Sequence, residues 1–271
     1  MLAIDGSFLD FKLLDRLALR QTPLHRLDPR AKVITTILFV ISVVSFDRYT
    51  ISAMLPFLIY PVVLLAVADL PVGVILRKVL IVVPFALMIG LFNPFFDQQV
   101  LMQIGSIEIW GGWVSCGSIL LRALLTVSAA LILVAMTGFQ AICQALEKLG
   151  MPRVFVVQLT FLYRYIFVLT DEGVRTARAR QLRSFGKRGL GLRQFGSLVG
   201  HLLLRTWERA ERIHMAMLSR GFSGQIHSSR PTAHIGRNEL LFMTAWGSIF
   251  LLLRCYNAPQ LIGGLLTGMF S

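Results

Sequence analysis

The chain has 271 residues, 55% of them hydrophobic and only 15% charged, with a mean hydropathy of +0.69. A water-soluble chain carries about 25% charged residues, so lipid must replace water over much of this surface. The net charge of +13, from 27 basic against 14 acidic residues, resembles that of a nucleic-acid binder, but most of the basic residues fall between Thr137 and Asn238. Basic residues clustered beside apolar stretches mark the cytoplasmic side of a membrane protein, where anionic headgroups or a partner protein suit them better than nucleic acid. Cys116, Cys143 and Cys255 lie far apart without a C-x-x-C, which predicts neither a disulfide framework nor a zinc site. Asp5, Asp10, Lys12, Asp15 and Arg16 interrupt any early apolar run, so no cleavable signal peptide is expected.

Taken in chain order, the first predicted span is Ala31 to Phe46. Asp28 is a good N-cap acceptor and Pro29 suits the first helical position, so the helix should begin at Pro29. Arg26, Arg30 and Lys32 flank this end and place the N-terminus in the cytoplasm. A second span runs from Ile51 to about Val67, and the loop after it carries Asp69, Arg77 and Lys78. A third, Val79 to Phe96, contains Pro84 and Pro94, which membrane helices tolerate. Asp97 to Trp113, punctuated by Gly105, Gly111 and Gly112, reads as an external loop with a short hairpin around Ile107 and Ile109.

A fourth span, Val114 to about Met136, contains Arg122. That arginine reads either as part of an ion pathway or as a side chain snorkelling to the outer interface. No acidic residue in the neighbouring turns supports the first, so Arg122→Ala is expected to be mild. Gln140 to Leu149 is a short amphipathic helix stopped by Gly150, and Pro152 opens the next. Arg153 to Thr170 has basic flanks on both sides, which favours a helix lying at the interface over a crossing. Asp171 to Phe185 is a separate basic helix, with Asp171 and Glu172 in its first turn, and Gly186 to Gly191 break it. A second amphipathic helix runs from about Gln194 to Ser219, with Gly221 as its C′ residue. A polar loop from Ser223 to Asn238 leads to a last span, Leu240 to about Cys255. The expected fold is an all-α polytopic membrane protein with about five transmembrane helices plus cytoplasmic amphipathic helices. Residues 1–139 would form an N-terminal membrane domain of four spans, 140–238 a cytoplasmic domain, and 239–271 a C-terminal span and tail.

The chemistry missing from the sequence is informative. There is no G-x-x-x-x-G-K-[ST], so no P-loop of its own, and no H-E-x-x-H. His25, His201, His214, His227 and His234 are scattered, so no metal site is expected, and no spacing pairs a nucleophile with a base. A membrane enzyme acting on lipid headgroups would need a carboxylate or histidine cluster, and Asp171-Glu172 is the one adjacent acidic pair. No catalytic residue is assigned.

Leu27-Asp28-Pro29-Arg30-Ala31-Lys32 before the first span, Phe161-Leu162-Tyr163-Arg164-Tyr165 before Asp171-Glu172, and Arg220-Gly221-Phe222 together resemble the transmembrane T-component of energy-coupling factor (ECF) transporters. The likeness covers nearly the whole chain and is nearest to the cobalt-transport permease family CbiQ. Members of that family carry two short Ala-Arg-Gly-type signatures on cytoplasmic coupling helices. The second is similar to Ser219-Arg220-Gly221, with serine for alanine. The first is similar to Leu182-Arg183-Ser184, which keeps only the arginine, and Ala179-Arg180 is a competing register.

The resemblance implies that these arginines dock into two cytoplasmic ABC ATPase subunits resembling CbiO, which bind the ATP, so the chain itself needs no cofactor. It implies a substrate-binding membrane subunit resembling CbiM, a small accessory membrane protein resembling CbiN, and a place in the bacterial cytoplasmic membrane. The cargo would be cobalt ion, with nickel or a vitamin as the alternative.

Overall fold

The computed structural model describes residues 17–18, 20, 22–96, 100–104, 107–183, 192–224 and 236–255. The expectations for the first sixteen residues, Ser184, most of the 223–238 loop and the 256–271 tail lie outside them. The helices are α1 (Pro23–Arg26), α2 (Pro29–Val44), α3 (Ile51–Val67, with a 3-10 turn at Leu55–Leu58), α4 (Val72–Gly90), α5 (Asn93–Phe96), α6 (Gly111–Thr137), α7 (Phe139–Lys148), α8 (Arg153–Arg183), α9 (Leu192–Ser219) and α10 (Arg237–Cys255). Strands β1 (Val100–Ile104) and β2 (Ile107–Trp110) form an antiparallel hairpin between α5 and α6. The chain divides into two compact units, one of Met1–Ala145 with Thr232–Ser271, the other of Leu146–Pro231. It is thus a helical membrane protein. The helices long and apolar enough to cross a bilayer are α4, α6 and the Arg153–Arg180 stretch of α8, with α3 a shorter apolar helix.

Within the first unit, α2 begins at Pro29, where the Asp28 carboxylate accepts a hydrogen bond from the Arg30 backbone N–H at 2.8 Å. This satisfies one of the orphan donors of a helix start. Helix α6 is the hub. Ser115, Ser118, Leu125, Ala129, Ile132 and Met136 recur at three- and four-residue steps or multiples of them, and all are buried. It packs against both α2 and α4, while α10 closes on α2. An aromatic cluster fills the α2–α3–α10 contact. Phe39 stacks on Tyr60 with ring centroids 4.5 Å apart, and Phe250 meets Phe39 at 5.4 Å and Tyr60 at 5.2 Å. Such pairs add about 0.5–1.5 kcal/mol each beyond area burial. The Tyr60 hydroxyl is satisfied by the Thr36 hydroxyl at 3.1 Å.

Small residues let α4, α5 and α6 approach closely. A Cβ on Gly90 would sit 2.8 Å from Cys116 Sγ, and one on Gly112 would sit 2.3 Å from Pro94 Cα. Lipid offers no hydrophobic drive between helices, so close packing of this kind supplies the association.

The far end of α2 is held by two arginines from distant parts of the chain. Arg122 of α6 donates to the carbonyls of Phe46 and Asp47, both at 2.7 Å. Arg254 of α10 donates to the Ser45 carbonyl at 2.8 Å and lies over the Phe46 ring at 4.3 Å. Arg122 falls in step with the buried stripe of α6, and its guanidinium ties down the turn just beyond the C-cap Ser45. Arg254 is the arginine that reaches the C-cap carbonyl itself.

Three boundaries differ from the sequence reading. Helix α4 starts at Val72, which places Arg77 and Lys78 inside the helix rather than in the loop. Asp69 closes the preceding helix with φ 51°, the Leu70 N–H reaching back to the Leu65 carbonyl at 3.2 Å, and Pro71 then leads into the next helix. The turn is therefore only a few residues long, and Arg20 pins it through the Asp69 carboxylate at 2.9 Å. Pro94 leaves α4 and joins the short turn α5. Finally, Arg153 to Arg183 is one unbroken helix of 31 residues. An interfacial segment was expected over its first part and a new helix from Asp171, but between Pro152 and Gly186 only the isolated Gly173 weakens the helix, which tolerates it, and the length suits a crossing.

Two substitutions test this packing. Gly112→Ala should destabilise the detergent-solubilised protein by about 1–3 kcal/mol, since backbone must shift to admit the methyl group. Gly73→Ala, where the added Cβ meets nothing within 4 Å, should leave the thermal midpoint unchanged. Arg122→Ala should likewise lower stability by about 1–3 kcal/mol, a larger effect than the sequence suggests. It removes the arginine donor from the Phe46 carbonyl, whereas the Asp47 carbonyl keeps Thr50 as a donor. An unaltered melting curve for Arg122→Ala would rule out that tie.

Candidate functional site

The second unit holds the chain's basic helices, and its internal geometry defines the site. Helices α8 and α9 pack together. Glu172 on α8 reaches Arg205 of α9 at 2.7 Å and Arg209 at 3.8 Å. The neighbouring Gly173 has no Cβ, and Leu202 of α9 comes within 3.8 Å of where one would stand. Glu172 is only 19% exposed, so this carboxylate is paired out of bulk water, where a lone charge would be costly. Apart from this contact the unit has little core. Among its described residues, only Val156 and Leu198 are buried apolar side chains. Leu182 is 78% exposed and Trp207 68% exposed.

Both helices end in an arginine. Arg183 closes α8 and is exposed, as is Leu182, while Ser184 lies outside the described residues. Arg180, in the competing register, is already engaged. Helix α9 ends at Ser219, whose hydroxyl donates back to the Met215 carbonyl at 2.9 Å. Arg220 is the C-cap residue and is exposed. Gly221 has φ +75°, its N–H bonds to the Leu218 carbonyl at 2.9 Å, and the Phe222 N–H bonds to the Met217 carbonyl at 3.0 Å. This 6→1 and 5→2 pair closes the helix in a Schellman motif. It fixes the backbone that carries Arg220 and leaves the guanidinium outside. Arg183 lies about three turns, ~16 Å, beyond Glu172, and Arg220 about four turns, ~22 Å, beyond Arg205, the nearer of its two partners.

Asp171 and Glu172 do not form a catalytic pair. They sit deep inside α8 rather than in a first turn, consecutive positions point about 100° apart around a helix, and Glu172 is committed to two arginines. No group of three or more His, Cys, Asp or Glu side chains able to hold a metal occurs among the described residues. His201 and His214 are exposed on α9. His25 has its Nδ1 against the Thr22 hydroxyl at 2.7 Å, and burial, with Lys32 and Arg20 nearby, pushes its pKa below the ordinary value. His227 and His234 lie outside the described residues.

Two further groups had no clear signal in the sequence. Lys32 is 1% exposed and donates to the His25 carbonyl at 3.2 Å and the Met136 carbonyl at 3.5 Å. It therefore ties the start of α2 to the end of α6, although its position beside Arg30 reads as a simple cytoplasmic flank. The Glu172 fork was equally hidden, because its partners lie more than thirty positions away.

Comparison with known proteins places this arrangement. A family model described as cobalt transport protein CbiQ matches residues 20–233. An uncharacterized protein of Methanocaldococcus jannaschii is 27% identical over 264 residues, 92% of this chain and 95% of its own. The energy-coupling factor transporter transmembrane protein EcfT of Heliobacterium modesticaldum is 26% identical over 223 residues, 75% of this chain and 81% of its own. The cobalt transport protein CbiQ of Salmonella typhimurium is 28% identical over 158 residues, 54% of this chain and 70% of its own.

The cap at Gly221 makes a local prediction. Gly221→Asn should keep amide protection at Leu218 to Phe222, because asparagine tolerates the left-handed conformation. Gly221→Val should speed hydrogen exchange there markedly, since a β-branched residue cannot hold φ +75°. Equal exchange in both variants would mean that the motif does not hold the helix end.

Proposed function

Because the chain belongs to the cobalt transport protein family CbiQ, we propose that it is the transmembrane coupling subunit of an ECF-type importer in the cytoplasmic membrane. It carries motion from separate ATPase subunits to a substrate-binding membrane subunit. The observation that carries this reading is the α8–α9 pair, whose two ends present Arg183 and Arg220 outward. A protein with no P-loop has to obtain ATP-driven motion in trans. Arginine suits docking into a protein groove, because its planar fork can bond carboxylates and carbonyls bidentately. Leu182 and Ser219 flank the two arginines, and the Gly221 cap holds the second in place. The ATPase subunits would bind the ATP, and the N-terminus, the basic C-terminal part of α8 and α9 would lie in the cytoplasm, where positive-inside bias puts such charge.

Cobalt ion is the favoured cargo. A relative in Methanocorpusculum labreanum, 30% identical over 118 residues, is named a putative fused cobalt transport protein CbiMQ. A fusion of that kind fits a substrate-binding partner resembling CbiM working beside this chain, with a small subunit resembling CbiN as a further partner. Relatives named only as EcfT carry no cargo in their names, and nickel or a vitamin is the second reading. Uptake of Co2+ against Ni2+ by the reconstituted assembly separates the cargoes.

Arg220→Glu should reduce recovery of the ATPase subunits with the detergent-solubilised chain by about a hundredfold, since reversing a docked charge costs several kcal/mol. Membrane insertion should be unchanged. Arg183→Glu should act in the same direction. Undiminished co-purification of the ATPase with Arg220→Glu would sink the docking role.

A further inference from the structure

We infer that Arg122 and Arg254, which meet at the end of α2, form a binding site for the phosphate of an anionic phospholipid. Both side chains hold the protein through one nitrogen only. Arg122 donates through Nη2 to the Phe46 and Asp47 carbonyls, and Arg254 donates through Nη2 to the Ser45 carbonyl and hydroxyl. A guanidinium carries five N–H donors, so the Nη1 groups are left without an acceptor among the described residues. Nε of Arg122 is buried and unpartnered, which leaves Nη1 as its accessible end. Arg254 is exposed. The acceptors of the two arginines sit on consecutive residues, whose Cα atoms are about 3.8 Å apart, so the guanidiniums lie within about 10 Å of each other.

The charge there is unbalanced. Neither arginine makes an ion pair among the described residues. Arg48, in the same turn and over the Tyr49 ring at 5.0 Å, adds a third cation. Asp47 is the one carboxylate of that turn; it is exposed and only its carbonyl meets Arg122. Like charges at this separation repel, and a shared anion removes the repulsion. A phosphodiester fits, because its oxygens accept charge-assisted bonds from more than one guanidinium.

The depth and surroundings of the cluster select a lipid over a free anion. It joins the loop after α2 to the last turn of α10, at the level where Tyr49 and the arginines suit a headgroup layer. This end lies opposite the basic start of α2, so positive-inside bias works against it, and a bound phosphate offsets that. One turn below the cations, Ile41 of α2 and Leu251 of α10 are exposed. Acyl chains gain from covering them, whereas inorganic phosphate gains nothing.

Native mass spectrometry of the full chain, released from mild detergent with phosphatidylglycerol or phosphatidylcholine, tests the site. Phosphatidylglycerol should stay bound where phosphatidylcholine is lost, and excess inorganic phosphate should not displace it. Arg122→Gln and Arg254→Gln, whose amides can still donate to a carbonyl, should each cut the bound fraction by about fivefold, the weight of one arginine near an anionic headgroup. Arg254→Lys should retain most of the binding. Arg77→Gln, an exposed arginine of α4, should change nothing. Because the glutamine variants also loosen the bundle, photoreactive phosphatidylglycerol is applied to the unaltered chain as well; its acyl label should concentrate on the peptides holding Ile41 and Leu251. Equal retention by both glutamine variants overturns the site, as does labelling spread evenly over the exposed apolar faces. An equal loss with Arg77→Gln reduces it to diffuse attraction, and displacement by inorganic phosphate makes it a free-anion site; either result also overturns the inference.

Discussion

The carbonyl oxygens at the end of α2 impose a constraint that much of the membrane unit answers. A helix leaves its last four carbonyls without intrahelical donors, and hydrocarbon supplies none. Here Arg254 of α10 reaches the carbonyl of the C-cap Ser45, and Arg122 of α6 reaches Phe46 and Asp47 in the turn just beyond it. Meeting that need brings three helices together at one point, and the aromatic cluster of Phe39, Tyr60 and Phe250 extends the contact along α2. At the opposite end of α2, Lys32 performs a similar service for the final turn of α6. The unit is therefore pinned at both ends of one helix by cations on carbonyls, with packing between them.

The two units solve the stability problem differently. The membrane unit has a continuous buried core reaching from Leu24 to Phe250. The basic unit buries almost nothing apolar of its own and relies on helix length, end caps and one ionic fork. Both helices leave large apolar side chains uncovered, Leu162 of α8 and Leu203 of α9 among them.

Much of this was legible in the sequence, and the reasons differ by element. The start of α2 could be read because Asp28 and Pro29 act locally, through their own φ and their own side chain. The end of α9 could be read for the same reason, since Gly221 carries its signal in one residue. The partners of Arg122 were not legible because they are backbone carbonyls 75 and 76 positions away, and carbonyls leave no mark in a sequence. A search for acidic partners was bound to miss them. The continuity of α8 was hidden by a change in composition at Thr170, where apolar residues give way to charged ones although helix propensity continues. Charge composition tells where a helix changes environment, not where it ends. For the candidate site, the arginines themselves were visible, whereas the Glu172 crossing that relates their helices was not.

The arginine clamp also has a bearing on biogenesis. Ser45 leaves the ribosome 209 positions ahead of the arginine that caps it. At ordinary synthesis rates that interval is about 10–40 seconds. Throughout it, the turn at the end of α2 has to be satisfied by water, lipid headgroups or the insertion machinery. The whole of the basic unit is translated in the meantime. The membrane bundle is thus finished only after the segment inserted into it has been made, so that the lifetime of a half-built bundle is set by translation rather than by folding.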